Sequence, residues 1–189
     1  LSREELLLNL SEIINNKDLK RFKKLICRRK KKEPVAYIVG FKEFWKEKFQ
    51  VNSNVLIPRP DTEILVEEVL KSIPLNSSKN ILDIGTGSGC IALSILKDRK
   101  ECYVKALDIS KKALKVAKLN AKIQHLENRI RFIHSNIDKF CNGKYDIIIS
   151  NPPYIKSLSI KELEEDIRAY EPKLSLDGGN DGLSHIREV

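Results

Sequence analysis

The stretch Asn80-Ile-Leu-Asp-Ile-Gly85-Thr-Gly87-Ser-Gly89 constrains the fold more than any other part of the chain. An apolar run enters a glycine-rich turn, and Cys90 to Lys97 then repeat apolar residues at helix spacing through Ile91, Leu93, Ile95 and Leu96. A second strand, Tyr103 to Ile109, carries Asp108 near its end, and the helix Ser110 to Ile123 follows it. Ile130 to His134 reads as a third strand. Tyr145 to Ser150 is continuously apolar and β-branched, as a strand of a parallel sheet is, and Pro152 and Pro153 stop it. Strands alternating with helices predict an α/β fold: a doubly wound, mostly parallel sheet with right-handed crossovers.

The turn also carries chemistry. Glycines let a backbone approach a ligand closely and swing into a helix N-terminus. Asp108 lies 19 residues beyond Gly89, near the spacing of a carboxylate that binds ribose hydroxyls. Together they point to a nucleoside ligand. The spacing is G-x-G-x-G and specifies no pyrophosphate cradle, which favours a nucleoside with a non-phosphate tail; S-adenosylmethionine is such a molecule. Asn151-Pro152-Pro153-Tyr154 stands at the carboxyl end of the fourth strand, where ligands of open α/β sheets bind. It offers one amide, two carbonyls without competing N–H groups and one aromatic ring.

Composition narrows the class. With 189 residues, 41% of them hydrophobic, the chain suits one globular domain plus a small appendage. No run of about eighteen apolar residues suggests a membrane helix, and Leu1-Ser-Arg-Glu-Glu is no signal peptide. Cys27, Cys90, Cys102 and Cys141 are scattered, as are His125, His134 and His185. The cysteines read as reduced thiols of a cytoplasmic protein, and no metal site is expected. The net charge of +9 can attract nucleic acid or an acidic protein, though abundant lysine explains it as well.

Leu1 to Lys32 read as helical, with a break at Asn15-Asn16. Arg28 to Lys32 is a run of five cations. A solvated helix end is favoured over RNA docking, because no aromatic residues interleave. A hairpin is expected, with Phe44 to Val51 and Val55 to Ile57 flanking the turn Asn52-Ser53-Asn54. Asp61 or Thr62 is expected to cap a helix from Glu63 to Ser72, whose core side is Ile64, Leu65, Val69 and Leu70. Arg59, between two prolines, is a candidate to serve a site.

These residues together resemble the S-adenosylmethionine-dependent methyltransferases. Within them, the match is to the family that methylates the glutamine side-chain amide of peptide chain release factors. It rests on Glu33 to Gly40, Val55 to Glu63, Asp83 to Gly89, Asn151 to Tyr154, Glu171-Pro172 and Gly179 to Leu183. Similar N-P-P-Y motifs occur in enzymes acting on adenine or guanine amino groups; Pro58 to Glu63 is the specific part. The resemblance implies a Rossmann-like class I methyltransferase. Gly85, Thr86, Gly87, Ser88 and Gly89 would hold the methionine end of S-adenosylmethionine, Asp108 its ribose, and Asn136 and Ile137 its adenine, with Asn151 close by. Asn151, Pro152, Pro153 and Tyr154 would seat the glutamine amide. The chain departs from the family pattern at Asn136, where an acidic residue is usual.

The resemblance also implies three parts: a partial helical domain over residues 1–40, a hairpin linker over 41–60 and a methyltransferase domain over 61–189. Such enzymes have a seven-stranded sheet, and this chain has no methionine and stops at Val189. It is therefore expected to be a fragment lacking three strands, with strand 145–150 exposed as an edge. The implied partner is a release factor. Rival readings are an amino-methyltransferase of RNA or DNA, an enzyme acting on a ribosomal-protein glutamine, and an inactive domain that binds a partner through its basic face.

Overall fold

The computed structural model describes residues 3–8, 13–136 and 143–189. Two helices lead the chain, α1 (Arg3–Leu8) and α2 (Asn16–Lys30). Asn15 caps α2 by accepting from the Asp18 amide at 2.9 Å, so the sequence break is a helix start. Arg29 to Lys32 are exposed, as expected of a solvated helix end, and Arg28 is half-buried. Arg28 bonds Glu33 through two guanidinium nitrogens, Arg29 reaches Asp166 at 3.4 Å, and the Tyr170 hydroxyl donates to the Lys31 carbonyl at 2.6 Å. These contacts fasten the end of α2 to the rest of the chain.

After the short helix α3 (Val35–Val39) comes an antiparallel hairpin, β1 (Phe41–Phe44) and β2 (Glu47–Gln50). Its turn is Trp45-Lys46, not Asn52 to Asn54, and Val55 to Ile57 are not a strand. Trp45 adopts φ 56°, a conformation that a bulky side chain rarely takes. Two bonds hold it there: its amide donates to Glu63 Oε1 and its indole N–H to Asp98 Oδ2, each at 2.8 Å. Val55 to Ile57 form no ladder because side chains take their backbone groups. Tyr37 donates to the Val55 carbonyl at 2.6 Å, and the Ile57 amide donates to Glu171 Oε2 at 3.1 Å. Asn52 to Asn54 form a turn, with the Asn54 amide on Asn52 Oδ1 at 3.0 Å, but no hairpin.

A four-stranded parallel sheet follows, in the order β5-β4-β3-β6. Its strands are β3 (Asn80–Ile84), β4 (Tyr103–Asp108), β5 (Ile130–His134) and β6 (Ile147–Ser150). The order agrees with the strand and helix alternation read from the sequence. Among the described residues β6 has one neighbour, β3. Helix α4 (Glu63–Ser72) packs beside α5 (Cys90–Asp98), and α6 (Lys111–Ile123) returns the chain from β4 to β5. Ile81, Val104, Ala106, Ile130 and Ile149 share a core with Val66, Val69, Ile91 and Ile95. In α4 the buried positions are Val66 and Val69, while Ile64 is exposed. Register aligns Ile84 with Ser150 and Asp108 with His134, so all four strands end at one rim of the sheet. Helix α7 (Glu165–Tyr170) and helix α8 (Ser184–Glu188) complete the chain.

Among the described residues no helix is long and apolar enough to cross a membrane. Cys27 is exposed, Cys90 and Cys102 are buried and unpaired, and Cys141 lies outside the described residues. Burial pushes the Cys90 thiol up to about 12, so it remains protonated.

Candidate active site

The strand rim opens into a cavity of about 210 Å³. Gly85, Thr86, Gly87 and Ser88 line one part of it, followed by Asp108 and Asn136. Asn151, Pro152 and Pro153 line it as well, together with Arg59 and Thr62 from the segment before α4. Two motifs 89 residues apart thus meet at one space. Two expected residues stand apart. Gly89 packs against Leu93 and Ala117. Tyr154 is 64% exposed and does not line the cavity. Ile137 lies outside the described residues.

The glycine turn is held by β4. The Gly85 and Thr86 amides both donate to the Leu107 carbonyl at 2.9 Å, and the Gly87 amide donates to Asp108 Oδ2 at 2.9 Å. Gly85 has φ 74°, and a Cβ built on it meets nothing within 4 Å. Its bare face therefore leaves ligand space that a side chain would occupy, in a conformation other residues avoid. The Ser110 amide takes Asp108 Oδ1 at 2.8 Å. Each oxygen keeps a further lone pair for a ligand hydroxyl. Burial raises the Asp108 carboxyl above the usual carboxylate range, and the two amides oppose it.

This donor set suits a cationic nucleoside. Asp108 supplies negative charge beside the turn. Among the described residues the basic side chains lining the cavity are Arg59 and His185. Arg59 already binds Glu171, so a pyrophosphate would find no free lysine or arginine at the turn.

Asn120 is a positioning group that sequence reading missed. It is 1% exposed, and its side chain makes three hydrogen bonds. Oδ1 accepts from the Gln50 amide at 2.7 Å, while Nδ2 donates to the carbonyls of Gln50 and Ser88 at 3.0 and 2.8 Å. It ties the hairpin to the glycine turn. An asparagine inside a helical pattern gives no sequence signal of this role.

Asp83 sits behind the turn, fully buried, accepting on Oδ2 from the Thr86 hydroxyl at 2.6 Å. Its Oδ1 has no partner among the described residues. Burial pushes this carboxyl up to about 7; the charge of Asp108 pushes the same way and the Thr86 hydroxyl opposes both. A group raised in the folded state contributes stability that is full below its unfolded value, near 4, and lost as pH rises through about 7. Asp83→Asn removes that proton, so its unfolding free energy should fall less between pH 5 and pH 8 than the parent's. The difference in slope is bounded by about 1.4 kcal/mol per pH unit. Urea midpoints at several pH values check it, and parallel curves would remove the buried ionisation.

The acceptor side is braced from behind. The Ile155 amide donates to the Leu176 carbonyl at 3.1 Å and the Gly178 amide to the Ile155 carbonyl at 2.8 Å. A Cβ on Gly178 would come within 2.7 Å of Tyr154 Cα and 2.8 Å of the Pro153 carbonyl oxygen, so only glycine lets this brace close. Asn151 Nδ2 donates to Thr62 Oγ1 at 3.2 Å. Among the described residues nothing bonds Asn151 Oδ1 or the Pro152 carbonyl.

Residues 60–170 match the methyltransferase small domain family, and residues 1–40 match the PrmC N-terminal domain. A release factor glutamine methyltransferase from Flavobacterium psychrophilum is 41% identical across all of this chain and 68% of that protein. The chain belongs to the release factor glutamine methyltransferase family. Another release factor glutamine methyltransferase, from Caulobacter vibrioides, is 44% identical over 86% of this chain and 56% of its own length. A bifunctional methyltransferase from Rickettsia felis is 41% identical over 98% of this chain and 41% of its own length. The chain thus spans between 41% and 68% of the length of these three relatives.

Solved structures agree on the fold of this family member. The hMettl16 catalytic domain, solved in complex with MAT2A 3'UTR hairpin 6, superposes with a TM-score of 0.59 over 75% of this chain and 54% of that one, at 18% identity. A SAM dependent methyltransferase from Agrobacterium tumefaciens gives 0.50 over 60% and 39%, at 22% identity. At such identities the likeness concerns the fold alone, the Rossmann-like methyltransferase sheet.

Proposed function

We propose that this chain transfers a methyl group from S-adenosylmethionine to the side-chain amide nitrogen of a glutamine in a peptide chain release factor. The observation that carries this reading is the pair of unengaged acceptors, Asn151 Oδ1 and the Pro152 carbonyl, on the cavity that the glycine turn also lines. A primary amide offers two N–H groups, and each acceptor takes one. S-adenosylmethionine, when bound, supplies the electrophilic methyl. Gly85 to Ser88 are the proposed seat of its methionine end, Asp108 of its ribose, and Asn136 and Ile137 of its adenine, with Gly89 turning the chain into α5 behind the methionine seat.

An amide nitrogen is a weak nucleophile, because its lone pair is delocalised into the carbonyl. Asn151 and Pro152 fix the plane of the amide and stabilise the positive charge that grows on its nitrogen. No strong base is needed, since the methylated nitrogen sheds its proton readily to water. Pro153 keeps the Pro152 carbonyl from a competing backbone N–H. Tyr154, an exposed residue, is proposed to meet the peptide from outside the cavity. On this reading residues 61–189 perform the transfer, residues 41–60 join them to a helical domain over 1–40, and the protein works in the cytoplasm where peptide release occurs.

The test is methyl-labelled S-adenosylmethionine offered with a release factor, a ribosomal protein or RNA. Label should enter the release factor and raise one glutamine-containing peptide by the mass of a methyl group. Label entering RNA alone would sink the reading.

A further inference from the structure

The geometry points to Thr62 as the residue that orients Asn151: by accepting from Asn151 Nδ2, its hydroxyl turns Oδ1 toward the acceptor amide. This rests on the proposed role of Asn151. An asparagine side chain presents a donor on one side and an acceptor on the other. With Nδ2 facing the cavity it would meet a glutamine NH₂ donor to donor. With Oδ1 facing the cavity it takes one of those hydrogens. Among the described residues the one side-chain bond of Asn151 is the 3.2 Å contact in which Nδ2 faces Thr62 Oγ1, which leaves Oδ1 for the cavity.

A second observation separates Thr62 from an ordinary helix start. It stands at the N-cap of α4, where a threonine hydroxyl normally takes a backbone amide of the first turn. Here Thr62 has helical backbone angles, φ −70° and ψ −17°, and makes no capping bond. The sequence expectation that Asp61 or Thr62 caps this helix is therefore wrong for Thr62, whose hydroxyl goes to the site. The segment is built to place it. Pro60 opens a 3₁₀ turn, and the Thr62 amide donates back to the Arg59 carbonyl at 3.0 Å. Arg59 is in turn anchored on Glu171. The proline-flanked motif thus acts on the chemistry through one hydroxyl, and Thr62 is a positioning residue.

The experiment compares Thr62→Val, Thr62→Ser, Asn151→Ala and the Thr62→Val/Asn151→Ala double variant. The readouts are single-turnover methylation of a release factor, S-adenosylmethionine affinity by calorimetry, and thermal melting. Thr62→Val keeps the shape and removes the hydroxyl. It should slow transfer about tenfold, the scale of a lost neutral hydrogen bond plus a misdirected dipole, with cofactor affinity and melting temperature unchanged. Thr62→Ser should stay within about twofold of the parent, and the double variant should lose no more than Asn151→Ala alone, because residues acting as one unit are not additive. Full activity in Thr62→Val beside an inactive Asn151→Ala overturns the positioning role and leaves the catalytic reading intact. Full activity in both overturns that reading too. Equal losses in the valine and serine variants, or a loss matched by lower melting temperature or weaker cofactor binding, also overturn the proposal.

Discussion

Asn151→Ala should lower methyl transfer by about 10²-fold or more while leaving the S-adenosylmethionine dissociation constant nearly unchanged. The magnitude follows from the place of the lost group. A preorganised polar group facing charge that develops only in the transition state contributes on that scale, because it needs no reorganisation as the charge appears. The split between the two readouts follows from geometry. Asp108 and the glycine turn are held by bonds among themselves, to Leu107, Gly87 and Ser110, and none of these passes through Asn151. Among the described residues the only side-chain bond lost is the one to Thr62, at a partly exposed position. The variant should therefore fold and bind cofactor. Calorimetry and single-turnover rates on one preparation decide it. Intact turnover would remove Asn151 from the reaction, and cofactor affinity falling in step with rate would make it a cofactor-site residue.

The parts of the fold legible in the sequence are those set by short-range periodicity. The runs ending at Ile84, Asp108, His134 and Ser150 are apolar enough to require a buried sheet, and the glycine turn admits one kind of connection. What could not be read depended on partners far along the chain. The Trp45-Lys46 turn lacks turn residues, and it holds because Glu63 and Asp98 receive the Trp45 N–H groups. Val55 to Ile57 look like a strand until Tyr37 and Glu171 claim their backbone. Thr62 looks like a cap until Asn151, 89 residues away, takes its hydroxyl. Asn151 itself was legible because two prolines after a buried strand leave few alternatives, whereas the use of its amide nitrogen was not.

Arg59→Ala should destabilise the protein by about 3 kcal/mol, and adding Glu171→Gln should recover at least half of that loss. The Glu171 side chain is 1% exposed, and its Oε1 lies 2.5 Å from Arg59 Nη2. Its other oxygen holds the Ile57 amide at 3.1 Å. Removing the guanidinium strands a carboxylate where water cannot replace it, and breaking a buried pair in this way costs about 3–5 kcal/mol. Arg59 itself is 35% exposed, which sets the expectation at the lower end of that range. The glutamine variant removes the charge but keeps an oxygen for Ile57, so the double variant leaves no stranded ion and no orphaned amide. The comparison also separates two reasons for an arginine between prolines. If the residue serves only the fold, the double variant regains both stability and methyl transfer. If its remaining N–H groups also hold the peptide, stability returns while release factor KM stays raised. Urea unfolding of the three variants beside KM values reads both. A loss below about 0.5 kcal/mol in Arg59→Ala, the scatter of ordinary surface changes, would mean that Glu171 is solvated well enough to stand without its partner.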